Sequence, residues 1–446
     1  MAGGAKMANE KTAVIYTLGC RVNQYESDAI AEQLEKDGIR VVSFGQTADV
    51  CIVNTCTVTA ESDRKSRQII RRMAATYPGV PVIAAGCFGE VSSREALRIP
   101  GVAAVCGNSA KGDVARVARE LIDGTFRGGK NLVTDIQSAP YDGLTLSLPR
   151  RCRSYIKIED GCENRCAYCL IPTARGRIRS KAADVILREV CDVARGGCEE
   201  VILTGIETAS YGKDTGDTLA SLLREVAAVP GIRRIGLGSL EPNLMRGAFL
   251  REVASLPSLL PHFHLSIQSG SSGVLRRMRR PYNAEQAMDA IRKTREAIPG
   301  VGLTADVIVG FPGETEEEFE ETVAFCREAR FLHLHIFPFS QREGTEADTM
   351  PDQVPGDVRH SRAARLEAVQ KEVKAALLDE YVAAHRTEPV YVLCEEPVDG
   401  MVYGHSEHYV DVLCDAAPGD MLRIIPVYLT GHDGVNCTGT VKGGTV

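Results

Sequence analysis

No tryptophan occurs in the 446 residues, which leaves 13 tyrosines and 11 phenylalanines as the large aromatics. No apolar run approaches the roughly 18 residues that a membrane span requires. The opening residues 1–11 are glycine, alanine and charge, with no apolar signal segment. Residence in the cytosol, a cytoplasmic protein, is therefore expected. The 15 cysteines are odd in number and spread along a long chain, which excludes a dense disulfide framework. Only one Cys-x-x-Cys unit is present, whereas structural zinc sites usually pair two. A basic excess is missing too: the net charge of −7 argues against unselective binding of polyanions.

What is present begins with ordinary core-forming composition, 44% hydrophobic, and length for about three domains. The densest chemistry lies in Gly161-Cys162-Glu163-Asn164-Arg165-Cys166-Ala167-Tyr168-Cys169. Three thiolates closing on one short loop can hold three corners of a cubic iron–sulfur cluster, leaving the fourth iron open for chemistry. The bland alternative is a zinc site or a buried cysteine cluster.

Residues 11–124 alternate between short apolar runs (12–18, 48–54, 81–85, 103–105) and helical patterns (25–36, 64–75, 93–98, 114–122). This predicts a small doubly wound α/β domain. Cys20, Cys56 and Cys87 each follow one of its strands. Open α/β sheets place ligands outside the carboxyl ends of their strands, so these three are expected to converge into a second site. Cys51 and Cys106 lie in apolar runs and read as core residues. Residues 124–150, rich in Gly, Ser, Thr and Pro, read as a linker.

From residue 148 to 380 the pattern predicts six strand–helix units, a partial (β/α)6 barrel. Its strands are expected at 155–158, 201–203, 234–240, 263–268, 303–309 and 334–339. Helices are expected at 184–194, 219–228, 243–254, 284–297 and 316–328. Polar and glycine-rich groups at the strand ends include Glu207, Ser239, Glu241 and Gln268. A long charged helix is expected at 357–385. Residues 386–446 turn to short strands (390–394, 401–403, 409–414, 422–427, 437–441) and read as a small β-barrel. Such barrels often bind RNA, yet this one carries only Arg386, Arg423 and Lys442 as strong bases, so its own charge would not drive binding.

Cys162-x3-Cys166-x2-Cys169 resembles the loop of radical S-adenosylmethionine (radical SAM) enzymes. The Cys20, Cys56, Cys87 domain and a TRAM-like terminal barrel narrow the resemblance to the methylthiotransferases. Thr17-Leu18-Gly19-Cys20-Arg21-Val22-Asn23-Gln24-Tyr25-Glu26-Ser27, Leu203-Thr204-Gly205-Ile206 and Gly310-Phe311-Pro312-Gly313-Glu314 are similar to the tRNA threonylcarbamoyladenosine (MtaB-type) subgroup. The resemblance implies two 4Fe-4S clusters, one on Cys162, Cys166 and Cys169 and one on Cys20, Cys56 and Cys87. S-adenosyl-L-methionine would bind the first and yield a 5′-deoxyadenosyl radical. A methylthio group would be added to C-2 of N6-threonylcarbamoyladenosine at position 37, with no catalytic side chain beyond the two clusters.

Cofactor contacts implied are Tyr168, Glu207, Ser239, Glu241, Gln268 and Val309. Gly205-Ile206-Glu207 departs from the family's usual Gly-Gly-Glu, and His264-Leu265-Ser266-Ile267-Gln268 from its His-Leu-Pro-Leu-Gln. The partners implied are a tRNA anticodon stem-loop, with its target base splayed from the stack, and an electron donor and sulfur source the sequence does not name. Basic clusters expected to hold RNA phosphates are Arg64, Lys65 and Arg67; Arg175, Arg177, Arg179 and Lys181; and Arg276, Arg277, Arg279 and Arg280. Two other substrates within the family stay open, isopentenyladenosine tRNA and a ribosomal-protein aspartate. A zinc-stabilised RNA-binding module without catalysis stays open as a different class.

Overall fold

The computed structural model describes residues 10–126 and 129–441; Lys442 and residues 1–9 lie outside them. The first unit is one parallel sheet: β1 (Lys11–Thr17), β2 (Ile39–Val42), β3 (Val50–Thr55), β4 (Val82–Gly86), β5 (Val102–Cys106) and β6 (Lys130–Asn131), in the order β2-β1-β3-β4-β5-β6. β3 and β4 are buried along their whole length, the mark of a strand covered on both faces. One face packs Ile70, Met73 and Phe88 from the helices Ala60–Thr76 and Cys87–Val91. The other packs Tyr25, Ile30 and Leu34 of the helix Arg21–Lys36, in a core continuous with that of the second unit.

The second unit is a partial barrel. β7 (Ser154–Lys157) is followed by the two-residue pair β8 (Glu159–Asp160) and β9 (Arg179–Ser180). β10 (Glu200–Thr204), β11 (Arg234–Leu237), β12 (His262–Gln268), β13 (Gly302–Val309) and β14 (His333–Pro338) complete it. Two three-stranded parallel sheets, β7-β10-β11 and β12-β13-β14, are joined by bridges at Ile235–Leu259 and Leu240–Leu265. Strand alternation sorts the side chains. Phe263, Leu265, Leu303, Ala305 and Val307 enter the core, and His262, His264, Thr304, Asp306, His333 and His335 occupy the other face.

The gap between β7 and β14 is bridged by the first unit. On one side its helix Arg21–Lys36 packs on β7, with Tyr25 Oη donating to Leu144 O at 2.7 Å. On the other side Arg342, beyond β14, pairs with Asp63 at 2.6 Å and donates to Thr57 Oγ1 at 2.7 Å.

The helix Gly356–Ala384 leads to the third unit. β15 (Val390–Val398), β16 (Met401–Ser406), β17 (Asp411–Cys414), β18 (Ile424–His432) and β19 (Cys437–Thr440) close a barrel in the order β15-β16-β17-β19-β18. Cys394, Cys414 and Cys437 are small core residues there. Its fastening is ionic: Arg153 reaches Glu200 at 3.1 Å and Tyr409 Oη at 2.8 Å, and also pairs with Glu395.

Two expectations need correction. The segment read as a linker is a strap. Leu144 and Leu146 are fully buried, which contributes about 1.5–3 kcal/mol each. The backbone N–H of Leu146 donates to Glu189 Oε1 at 2.7 Å. The third strand of the terminal barrel starts at Asp411, two residues later than expected, because Tyr409 adopts φ 63° and breaks the extended run.

Candidate active site at the barrel mouth

Gly161 opens the cysteine loop at φ 87°, where a Cβ would lie 1.9 Å from Arg177 O. Only glycine fits so close a backbone approach. The loop then runs without regular structure to the five-residue helix Ile171–Arg175. Cys162, Cys166 and Cys169 are half-buried, and each of the other two thiols acts on Cys162. Burial pushes Cys162 up to about 12 and Cys169 up to about 11. As thiols they are protonated at neutral pH, so metal binding here releases protons. Ile171 N lies 3.4 Å from Cys169 Sγ.

The second set assembles from three strand ends. Cys20 follows β1, Cys56 follows β3 and Cys87 follows β4. Gly19 and Gly86, at φ 100° and 91°, make the turns. A Cβ on Gly19 would stand 3.1 Å from Cys56 Sγ, and one on Gly86 2.6 Å from Asn54 Oδ1. Burial and the neighbouring Cys87 push Cys56 up to about 11. Asn108 Nδ2 donates to Cys87 Sγ at 3.5 Å and to Ala174 O at 2.7 Å. The short helix that leaves the cysteine loop therefore touches the second set; at 1.5 Å per residue it is only about 7 Å long.

The strand-end residues gather around the loop unevenly. Glu241 accepts from Asn164 Nδ2 at 2.9 Å and from Arg280 Nη2 at 2.7 Å. Glu207 is buried, and burial with Glu241 nearby pushes its carboxyl up to about 8. Glu207 Oε1, Thr208 Oγ1 and Tyr211 Oη are buried with no hydrogen-bond partner among the described residues. Gln268 ends β12 at φ 68°, a strained position for a residue with a side chain. Ser239 is half-buried at the end of β11. Tyr168 packs edge-on against Phe311 at 6.4 Å. Val309 departs from expectation: its side chain sits in the main core, and Ile308, facing the other way, is the residue packed beside Tyr168 and Ala167.

The basic clusters divide sharply. Arg175 and Arg179 are buried and cannot meet RNA phosphates. Arg175 donates to Glu26 at 2.7 Å, Asp160 at 3.1 Å and Asn23 at 2.6 Å. Lys157, also buried, reaches Glu26 at 3.1 Å and Asp160 at 3.2 Å. Burial would raise the Asp160 carboxyl, but Arg175 and Lys157 outweigh it and hold the group at about 2. The same guanidinium acts on Cys20 and Cys87. Lys181 is buried against Glu189 at 2.7 Å. Arg280 is no surface base either: it donates to Cys166 Sγ at 3.1 Å, a loop contact the sequence reading missed. Arg64, Lys65, Arg177, Arg276 and Arg279 are exposed, whereas Arg67 and Arg277 are half-buried. Arg64 shares Glu61 with Lys65, and Arg277 pairs with Glu318.

A partial barrel with a three-cysteine loop at its mouth defines a radical SAM enzyme. The Radical SAM superfamily model matches residues 156–326, and the model of Uncharacterized protein family UPF0004 matches residues 12–107. A radical S-adenosylmethionine methyltransferase, TsrM, from Kitasatospora setae shares the fold at TM-score 0.56. That match has 14% identity and covers 85% of this chain and 90% of the other. The threonylcarbamoyladenosine tRNA methylthiotransferase MtaB of Bacillus subtilis (strain 168) is 37% identical, over 93% of each chain. The tRNA-2-methylthio-N(6)-dimethylallyladenosine synthase of Acidothermus cellulolyticus is 34% identical, over 83% of this chain and 76% of its own. The chain belongs to the MtaB family of threonylcarbamoyladenosine tRNA methylthiotransferases.

Proposed function

We infer that the chain adds a methylthio group to C-2 of N6-threonylcarbamoyladenosine at position 37 of tRNA. The observation that carries this reading is the pairing of two three-thiol sets, from separate units, across the short helix Ile171–Arg175. The donor sets fit iron–sulfur clusters: each offers three free thiols. The unpartnered Glu207 oxygen, on a carboxyl that acts on Cys162, suits the polar end of S-adenosylmethionine. When bound, cluster and S-adenosylmethionine together supply the radical that removes an unactivated C–H hydrogen, which no side chain can do.

The chain's residues bind, orient and shield. Cys162, Cys166 and Cys169 would hold the first cluster, with the Arg280 guanidinium balancing thiolate charge at Cys166. Cys20, Cys56 and Cys87 would hold the second, with Asn108 orienting Cys87 and Arg175 offsetting its charge. Arg64, Lys65, Arg67, Arg177, Arg276, Arg277 and Arg279 are the remaining candidates for the phosphates of an anticodon stem-loop.

Anaerobic reconstitution followed by metal analysis tests the site. About eight irons per chain are expected from two four-iron clusters; zinc with negligible iron would end the enzyme reading. Nucleosides from a strain lacking the gene test the substrate. Loss of the methylthio form of threonylcarbamoyladenosine is expected, and unchanged tRNA nucleosides would sink the assignment.

A further inference from the structure

A second chamber lies toward the amino ends of β12, β13 and β14, against the terminal barrel. About 460 Å³ in volume, it is bounded by all three units. Arg21 comes from the first unit. His262, His264, Thr304, His333 and His335 come from β12, β13 and β14. His405, Tyr409 and Asp411 come from the terminal barrel. Its volume falls within the roughly 300–1,000 Å³ typical of small-molecule sites, but its lining is far more polar than usual.

Nearly every charged group on this wall is already satisfied. Lys374 pairs with Asp411 at 3.2 Å, and His405 Nε2 meets Asp411 at 3.1 Å. His264 contacts Asp306 through Nε2 at 3.2 Å and Thr304 Oγ1 through Nδ1 at 2.9 Å. The His262 ring stacks on Tyr409 with centroids 4.3 Å apart. Arg21 is the exception: among the described residues its guanidinium makes no hydrogen bond or ion pair, although its charge acts on His262, His335 and Tyr409. It is also the residue after Cys20, so its Cα lies about 3.8 Å from that of a thiol in the second set.

A half-buried guanidinium without a paired carboxylate, in a chamber whose other charged groups pair among themselves, asks for an anion that also carries hydrogen-bonding groups. Resting on the reading of the substrate above, we propose that this chamber holds the N6 substituent of the target adenosine, with Arg21 pairing its carboxylate. His333 and His335, which make no hydrogen bond among the described residues, meet its hydroxyl and carbonyl groups. Burial lowers His262, His333 and His335, so they act as neutral imidazoles, each with one donor and one acceptor. An apolar dimethylallyl group in the same place would desolvate these groups and give them no partner. Sites built to hydrogen-bond one substituent reject an analogue lacking it far better than apolar pockets reject an extra polar group. The chamber thus accounts for a choice between two substrates whose enzymes this chain resembles almost equally, at 37% and 34% identity.

The test uses full-length protein with its iron content checked and three synthetic anticodon stem-loops. One carries threonylcarbamoyladenosine, one its threonine carboxamide analogue and one dimethylallyladenosine. Wild type is expected to prefer acid over amide in kcat/KM by roughly 10- to 150-fold, the range for one hydrogen bond to a charged group. In Arg21→Gln that ratio should collapse toward one, in Arg21→Lys it should recover in part, and in His335→Phe the dimethylallyl RNA should gain on the acid. Wild type that modifies acid and amide equally overturns the proposal and leaves the methylthiotransferase reading intact. So does Arg21→Gln that keeps the wild-type ratio at reduced rate, since that is the signature of damage beside Cys20 alone. Wild type inactive on the acid RNA but active on the dimethylallyl RNA overturns the substrate reading and this inference with it.

Discussion

The two cysteine sets each bring three thiols together, by opposite means. Cys162, Cys166 and Cys169 are neighbours in sequence, and their loop needs little beyond Gly161 and an anchoring helix. Cys20, Cys56 and Cys87 lie far apart in sequence, and meet only because β1, β3 and β4 are parallel and adjacent. A local loop can form wherever its ends are held. A strand-end site exists only when the whole sheet is correct. The difference predicts where each set is vulnerable: the loop to loss of a ligand, the sheet site to any change that shifts a strand end.

The largest effect should follow from removing a thiol. Cys162→Ala is expected to abolish 5′-deoxyadenosine release, while Cys87→Ala keeps that release and loses the methylthiolated product. Equal loss of release in both variants would erase the proposed division of labour. Arg175→Met comes next. It leaves Glu26 and Asp160 short of a buried cation, a loss of about 3–5 kcal/mol, read as a fall in the denaturation midpoint.

The same ion cluster predicts a pH dependence. Asp160 sits at about 2 against an ordinary 3.8. Its contribution is therefore complete above about pH 4 and disappears as pH falls through 2. In Arg175→Met that acid-side loss should shrink; an unchanged acid limb would remove Arg175 from the account. Gly86→Ala should cost about 1–3 kcal/mol of strain at φ 91°, and its Cβ would also crowd Asn54 Oδ1 at 2.6 Å and Thr55 O at 2.8 Å. Its expected signature is selective: iron falls from about eight toward about four, and S-adenosylmethionine cleavage continues. Proportional loss from both sites would break the contrast between them. Smallest of all, Arg276→Ala should weaken stem-loop binding only several-fold, with the log-affinity salt slope reduced by about 0.9; an unchanged slope takes Arg276 out of the interface.

The sequence carried the elements with strong periodicity and the thiols, and it failed where charge was concerned. The helix Ala284–Ala297 and strands β13 and β14 fell where the pattern put them, since long amphipathic runs and buried strands announce themselves. β2, β6, β8 and β9 are two to four residues long and leave no period to read. Arg175, Arg276 and Arg280 look alike as letters. One is buried in an ion cluster between two units, one faces water, and one donates to a cysteine sulfur. Only the partners distinguish them, and Glu26 lies 149 residues from Arg175. The same remoteness hid Arg21: its importance comes from a chamber whose other walls are supplied some 240 and 380 residues later.

The docking of Tyr25 and Glu26 also bears on how the chain is made. Tyr25 Oη lies 2.7 Å from Glu189 Oε1, 164 residues further on. At 5–20 residues per second a ribosome takes roughly 10–30 s to reach that partner. Glu26 precedes all three of its cations, Lys111, Lys157 and Arg175, in the order of synthesis. The buried ion cluster is therefore complete only once residue 175 has been made, and the carboxylate's partners arrive from both units.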